Sequence, residues 1–195
     1  RQSGAVPSFK GYGGFPATLC ISVDEAVIHG IPDRRKLVQG EIVSIDAGAF
    51  YLGYHGDAAF TAAVGGVSAE KSRLIQVTED SFFKGIAMAK AGHRLSDISH
   101  SIEQVVAEAG FSVVREFVGH GIGRDLHEDP AIPNYGPPGR GPLLEPGMTL
   151  AIEPMVNMGG PSVEILDDGW TVVTMDKMPS AHYEHTILIT EDGPE

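Results

Sequence analysis

The stretch Leu37-Val38-Gln39-Gly40-Glu41-Ile42-Val43-Ser44-Ile45-Asp46 decides the fold, because it returns in similar form as Leu144-Glu145-Pro146-Gly147-Met148-Thr149-Leu150-Ala151-Ile152-Glu153. In both copies a leucine stands three residues before a glycine, and that glycine stands six residues before an acid. A second acid follows each copy in a polar setting, within His55-Gly56-Asp57 and Tyr183-Glu184-His185. The repeat predicts two similar halves, each of which brings two carboxylates to a shared seam.

The hydrophobic pattern around this repeat predicts a single α+β domain over residues 1–195. Apolar alternation predicts strands at residues 41–46 and 54–64, whereas the first 32 residues are rich in Gly and Pro and predict loops and short strands. Helical spacing predicts one helix over residues 68–91, with Ser68 as its N-cap, and a second over residues 96–109. We expect both helices to pack against one face of the sheet.

The composition narrows the range of partners. The 14 basic and 26 acidic residues give a formal net charge of −12, which repels a phosphate backbone, so nucleic acid is not an expected partner. No stretch approaches the roughly 18 apolar residues of a membrane span, and the N-terminal residues do not resemble a signal peptide. We therefore expect a cytoplasmic protein that is not bound to a membrane. Cys20 is the single cysteine, so a metal ion would have to be held by carboxylates and histidines.

The spacing of the acids favours a metal site. Asp46 and Asp57 are eleven positions apart, which is enough for a strand, a tight turn and a returning strand that brings both carboxylates together. His120 lies among glycines in Val118-Gly119-His120-Gly121-Ile122-Gly123, where the backbone can be approached closely. Carboxylate oxygens with one imidazole suit Mn, Fe, Co or Zn.

Other kinds of catalytic site do not fit the sequence. The segment His127-Glu128-Asp129-Pro130 is not a helical zinc motif, because the proline stops a helix and the second histidine is missing. The glycines around His120 do not have the spacing of a phosphate-binding loop. No G-x-S-x-G elbow is present, and Cys20 has no obvious activating base, so covalent catalysis is disfavoured.

Eight segments carry a resemblance to a known family, and they are distributed over almost the whole chain, from residue 14 to residue 186. They are Gly14-Phe15-Pro16 through Cys20-Ile21-Ser22-Val23, Val27-Ile28-His29-Gly30-Ile31-Pro32, Ile45-Asp46, His55-Gly56-Asp57, Gly119-His120-Gly121-Ile122-Gly123, His127-Glu128, Ile152-Glu153-Pro154-Met155 and Tyr183-Glu184-His185-Thr186. On these segments the chain resembles the type I methionine aminopeptidases of the pita-bread metallopeptidase family. The resemblance implies an α+β pita-bread fold, with two pseudo-symmetric halves around a curved antiparallel sheet and helices on its outer face.

The resemblance also implies a centre of two divalent metal ions, which could be Co, Mn, Fe or Zn. In the family pattern Asp57 and Glu184 bridge the ions, Asp46 completes one ion, and His120 and Glu153 complete the other. A hydroxide between the ions would be the nucleophile, because bound cations lower the pKa of water from about 15.7 towards neutrality.

The implied activity is hydrolytic removal of the N-terminal methionine from nascent proteins and peptides. Glu153 would handle protons near the attacking water, His127 would donate to the developing oxyanion, and His29 would sit beside the scissile amide. The free amine of the substrate would bind a metal ion, which restricts cleavage to the N-terminus. The remaining histidines are expected beside the ligands or at the surface, and not as ligands: His55, His93, His100, His182 and His185.

By the same resemblance, an adaptable apolar pocket receives the first side chain of the substrate. Its expected wall consists of Phe9, Tyr12, Phe15, Cys20, Leu126 and Trp170, with His29 and His127 also in contact with the substrate. Leu126 replaces an aromatic residue that is common in the family, and this change should loosen the selection for methionine.

Two alternatives stay open at this point. Proline-directed aminopeptidases and dipeptidases share the fold and all five ligands, although the segments Ala151-Ile152-Glu153-Pro154 and Tyr183-Glu184-His185-Thr186 favour the methionine branch. A catalytically inactive pita-bread module that binds partners is the other alternative, but such modules usually lose ligands, and here every ligand position is filled. We expect a monomer.

The repeat further predicts that the parent protein has N-terminal helices which this sequence lacks. In the second half a helical pair starts near Ser68, ahead of Glu153, whereas no helical pair precedes Asp46 in the first half. We therefore expect one helical pair rather than two, and an open apolar sheet face at Ile42, Val43 and Ile45.

Overall fold

The alternating apolar residues fold into strands that are bounded by Gly-rich turns. A computed structural model describes residues 4–195, so the first three residues of the predicted 1–195 domain lie outside the described residues. The first elements are β1 (Val6–Pro7), a short 3₁₀ turn (Tyr12–Gly14), β2 (Cys20–Val23), β3 (Ala26–Ile28), β4 (Ile42–Tyr51), β5 (Tyr54–Ala63), α1 (Ala69–Ile86) and α2 (Leu95–Glu108). The later elements are β6 (Ser112–Val113), β7 (Gly119–Gly121), β8 (Glu128–Ile132), β9 (Thr149–Ile152), β10 (Met155–Asn157), β11 (Val163–Ile165), β12 (Val172–Thr174), β13 (Ser180–His182) and β14 (Glu184–Leu188).

The main sheet has eight strands, and every pairing in it is antiparallel. Its order is β1-β4-β5-β14-β9-β7-β8, with β2 also pairing with β4. On one side of the β5–β14 pair lie β4 and then β2, and on the other side lie β9 and then β7. The two copies of the sequence repeat therefore enter the sheet symmetrically, as β4 and β9, on either side of a shared seam.

The two predicted helices are present, with shifted ends. The Ser68 side chain accepts a hydrogen bond from the Lys71 N–H and caps α1 as expected. The helix stops at Ile86 and does not reach residue 91. The N–H groups of Met88 and Ala89 donate to carbonyls three residues back instead of four, so the chain bends out of the helix. The start of α2 is fixed by Asp97, whose carboxylate accepts from the Arg94 N–H at 2.9 Å.

The helices meet each other closely and cover the second half of the sheet. A Cβ at Gly85 of α1 would lie only 2.6 Å from the Ile102 side chain of α2, so glycine sets the distance between the helices. Their apolar faces form one buried cluster with strand residues such as Ile42, Ile152 and Ile187. Within residues 4–195 neither helix combines the length and the apolar character needed to cross a bilayer.

The structure corrects the prediction of an open face at Ile42, Val43 and Ile45. Ile42 and Val43 are buried, because Ile42 packs into the cluster under the helices, and Ile45 is half-buried. The exposed apolar residue on this part of the sheet is Phe60, the antiparallel partner of Ile45, with 49% of its surface accessible. The described residues contain one helical pair, as expected.

Candidate metal centre

The β4–β5 hairpin brings Asp46 and Asp57 to the same face of the sheet. In its register Asp46 is opposite Ala59 and Asp57 is opposite Gly48, so the two acids are diagonal neighbours. Both side chains are about nine-tenths buried. The backbone of Asp57 is fixed from the next strand by Thr186, whose hydroxyl accepts from the Asp57 N–H at 2.9 Å and donates to the Asp57 carbonyl at 3.1 Å.

The second half of the sheet supplies the other two acids. Glu184 is the first residue of β14 and pairs with Ala59, so it reaches the same face as Asp46. Glu153 directly follows Ile152, the last residue of β9. The four carboxylates that the repeat predicts at a shared seam therefore lie around one cavity.

His120 reaches this cluster from β7, which is squeezed between β8 and β9. A Cβ at Gly119 would lie 2.4 Å from the Ala151 carbonyl oxygen, and a Cβ at Gly121 would lie 2.2 Å from that of Asp129. The glycines around His120 are thus required by the close approach of two neighbouring strands. The His120 Nδ1 is 2.8 Å from the Gly121 carbonyl, and its Nε2 is 3.4 Å from a Glu153 carboxylate oxygen.

The four carboxylates are buried close together, where their charges repel one another. Burial first, and then the neighbouring acids, raise the pKa values of Asp46, Glu153 and Glu184 well above their usual range. Burial raises the pKa of Asp57 to about 6. In the described part of the chain no Lys or Arg forms an ion pair with any of these four acids.

These features fit divalent cations. Ligand atoms of Asp57, His120 and Glu184 lie within 4.8 Å of one another, as do those of Asp46, His182 and Glu184. Asp46 Oδ1 is buried and has no hydrogen-bond partner in the described protein, although a buried carboxylate oxygen without a partner is costly. Metal ions would neutralise the acids and give that oxygen a partner, and hard oxygen donors with imidazole are the donor set of Mn, Fe, Co and Zn.

Two further histidines border the cavity without belonging to these ligand clusters. The His127 ring lies 4.2 Å from the His120 ring between centroids, and its Nδ1 is 2.7 Å from the Tyr12 hydroxyl. Burial first, and then the neighbouring histidines, lower the pKa of His127 to about 4, so its ring is neutral at pH 7. His29 has a positive φ of 58°, a strained conformation for a non-glycine residue, and packs edge-on against Phe117.

An apolar pocket adjoins the ligands in the same cavity, whose volume is about 250 Å³. All residues predicted for the ligands, the proton transfers and the pocket line this cavity: Phe9, Tyr12, Phe15, Cys20, His29, Asp46, Asp57, His120, Leu126, His127, Glu153, Trp170 and Glu184. Phe15 and Trp170 meet edge-to-face with centroids 5.2 Å apart. Asp168 fixes the Trp170 turn by accepting from the backbone N–H groups of Trp170 and Thr171 at 2.8 Å.

From the sequence His182 is expected beside the ligands or at the surface, and the structure places it beside the ligands. His182 is fully enclosed, with its Nε2 3.6 Å from a Glu184 oxygen. The available signal was its position two residues before Glu184, since alternate residues of an extended chain share a face. Of the other histidines in that group, His185 is exposed and the His55 Nδ1 bonds to the Ser8 hydroxyl at 2.8 Å.

Comparison with known proteins agrees with this geometry. The model of metallopeptidase family M24 matches residues 2–191. A methionine aminopeptidase from Clostridium perfringens is 62% identical over 194 residues, which are 100% of this chain and 78% of that protein. Methionine aminopeptidase 1 from Bacillus subtilis is 58% identical over 99% of this chain and 78% of its own length. The crystal structure of a Thermotoga maritima methionine aminopeptidase superposes with a TM-score of 0.96 at 53% identity, covering 98% of this chain and 77% of that one.

The fold and the carboxylate–imidazole centre therefore define a metallopeptidase, and the chain belongs to metallopeptidase family M24. Within that family it belongs to the methionine aminopeptidases. The α+β pita-bread fold predicted from the sequence is confirmed.

Proposed function

We propose that the chain hydrolyses the peptide bond after an N-terminal methionine, with two divalent metal ions held by Asp46, Asp57, His120, Glu153 and Glu184. The observation that carries this proposal is a single cavity in which the carboxylate–imidazole cluster adjoins an apolar pocket. When bound, the ions would lower the pKa of water towards neutrality and polarise the scissile carbonyl. Asp57 and Glu184 lie at the centre of the seam and would be among the residues that hold the ions.

The residues of the chain have separate tasks in this reaction. Glu153, next to His120 at the end of β9, would take a proton from the attacking water and pass it to the leaving amine. His127 is neutral at pH 7 and stands beside the cluster, so its imidazole would donate a hydrogen bond to the developing oxyanion. His29 lines the same cavity and would orient the scissile amide.

The pocket supports methionine as the first residue of the substrate. Phe9, Phe15, Cys20 and Leu126 form an apolar cluster with Trp170 against it, and an unbranched thioether adapts to such a surface. Leu126 is smaller than an aromatic residue, so the pocket should also accept other flexible apolar side chains at reduced rates. The substrates would be nascent proteins and peptides with a free N-terminus. A cytoplasmic location and a monomeric state stay predictions of the sequence.

Turnover of two peptides after removal and restoration of the metal tests this function. We expect Met-Ala-Ser to be cleaved after its first residue once Mn, Co, Fe or Zn is added back to chelated protein, and Ala-Pro-Ala to be left intact. Preference for Ala-Pro-Ala would identify a proline-directed enzyme. Failure to cleave either peptide with any of the four metals, in protein shown to bind them, would identify an inactive binding module.

A further inference from the structure

We propose that His182 is a sixth ligand of the metal centre, and that its Nε2 binds the ion held by Asp46. This inference rests on the two-metal centre of the proposed function and adds a residue to it. It gives each ion one imidazole nitrogen, His120 on one side of the seam and His182 on the other.

The position of His182 is fixed by strands of the main sheet. Thr61 of β5 accepts a hydrogen bond from the His182 N–H at 2.8 Å and donates one to the His182 carbonyl at 2.9 Å. Because Thr61 uses its single proton on that carbonyl, Ser44 of β4 must donate to Thr61, at 2.8 Å. Ser44, Asp46, Asp57 and Thr61 share one face of the β4–β5 hairpin, so the strands that position the acids also position His182.

Two buried polar atoms without hydrogen-bond partners, one on His182 and one on Asp46, lie near Glu184. His182 is 98% buried, and its Nε2 has no hydrogen-bond partner in the described protein; the same holds for Asp46 Oδ1. Ligand atoms of Asp46, His182 and Glu184 all lie within 4.8 Å of one another. One cation between them would give both unpaired atoms the partner that a buried polar atom needs.

The spacing of the atoms favours a shared ion over a direct hydrogen bond. The His182 Nε2 lies 3.6 Å from a Glu184 oxygen, which is longer than the roughly 2.7–3.2 Å of an N–H···O hydrogen bond. Two donors that each lie about 2.1 Å from one ion are roughly 3.0–3.6 Å apart. The His120 Nε2 and the Glu153 oxygen, which are expected to share the other ion, are 3.4 Å apart. The two imidazole–carboxylate pairs thus have similar spacing on opposite sides of the seam.

The competing role for His182 is a positioning residue that donates a hydrogen bond to Glu184 and does not touch an ion. The variant His182→Gln separates the two roles, because glutamine keeps an N–H donor but binds metal ions poorly. His185→Gln is the matched control, since His185 lies three residues further along and is exposed on the other side of the chain.

The experiment uses Mn²⁺ as the probe and measures nitrogen hyperfine coupling by pulsed electron paramagnetic resonance on the chelated and reloaded protein. Removal of the other imidazole by His120→Gln should leave a bound Mn²⁺ that still couples to a directly bonded imidazole nitrogen. Adding His182→Gln to that variant should abolish the coupling. In the single variant His182→Gln, the coupling of one nitrogen to bound Mn²⁺ should be lost, and His185→Gln should leave every nitrogen coupling unchanged.

Each outcome decides the assignment. A bound Mn²⁺ without nitrogen coupling in His120→Gln would show that His182 is not a ligand. If His120→Gln fails to fold or binds no Mn²⁺, the comparison is made between the wild type and His182→Gln, where retention of every coupled nitrogen would overturn the proposal. If the wild type binds no Mn²⁺ at all, the metal centre and the proposed function fail together, whereas an unaltered His182→Gln removes only the assignment of His182.

Discussion

At the scale of single residues, Glu153 has two duties, as a ligand and as a carrier of protons. Glu153→Gln keeps the size of the side chain but removes its negative charge and its basic oxygen, so kcat should fall about 10²-fold or more. Glu145→Gln is the control, because Glu145 lies exposed just before β9 and loses the same charge. Initial rates on Met-Ala-Ser measure both variants. Near-normal turnover by Glu153→Gln would show that another group handles the proton.

His127 is expected to act on the substrate and not to hold an ion. His127→Ala should lower kcat about 10²–10³-fold, the scale of losing one oxyanion donor, while both ions stay bound. Tyr12→Phe, which removes only the hydroxyl 2.7 Å from the His127 ring nitrogen, should cause a smaller fall. Elemental analysis measures the bound metal next to the rates. Loss of a stoichiometric ion from His127→Ala would place this histidine among the ligands.

The acids of the metal-free centre should release protons when metal binds. Burial and the neighbouring acids raise the pKa values of these acids, to about 6 for Asp57 and well above the usual range for Asp46, Glu153 and Glu184, so the chelated protein holds some of these protons at pH 6. A cation competes with those protons, and its affinity should therefore rise as the pH rises from 6 to 8. Calorimetric titration with Mn²⁺ in buffers of different ionisation enthalpy counts the released protons. A binding heat that is the same in all buffers would contradict this.

At the scale of elements, β7 packs so closely against its neighbouring strands that side chains at its glycines would clash with their backbone. Gly121→Ala would drive a Cβ to 2.2 Å from a backbone oxygen of Asp129, and backbone cannot move aside as a flexible side chain can. The free energy of unfolding should fall by roughly 1–3 kcal/mol, and Mn²⁺ affinity should fall because His120 shifts with the strand. Gly56→Ala is the control: Gly56 adjoins the ligand Asp57, but a Cβ there meets no atom within 4 Å. Denaturant unfolding curves compare the two variants, and equal stability would show that β7 is not constrained as described.

Some features of the secondary structure can be predicted from the sequence, and others are visible only in the structure. The eleven-residue spacing of Asp46 and Asp57 predicts the hairpin, because a strand, a turn and a return strand have few ways to fit into it. The early stop of α1 at Ile86 was missed, because an apolar sequence continues past it and only hydrogen bonds reveal the bend. The sequence leaves His182 either beside the ligands or at the surface, because the chain passes from β13 to β14 between His182 and Glu184, and only the structure places it beside Glu184.

At the scale of the whole molecule, the halves of the sheet differ in what covers them. The described helices pack over the second half, whereas the outward face of β4 and β5 carries Ile45 and Phe60 opposite each other with alanines on either side. Phe60 lies in the middle of β5 and is 49% exposed. The Clostridium and Bacillus relatives are longer than the matched region by about a fifth of their length. In those relatives we expect residues outside the matched region to cover the position of Phe60, as α1 and α2 cover the second half here.

If additional residues cover Phe60, a longer chain should differ from this one in thermal stability and in the accessibility of position 60. Joining to this chain the residues of the Bacillus subtilis relative that lie outside the matched region should raise the thermal midpoint by several degrees, because burying most of one Phe side chain contributes about 1–2 kcal/mol. The variant Phe60→Cys reports on the same face, since the native Cys20 is buried and adds little background. The introduced thiol should react quickly with a maleimide in the 195-residue chain and slowly in the longer one. Equal thermal midpoints together with equal labelling rates would show that the added residues leave this face uncovered, and that the two halves of the sheet are not built alike.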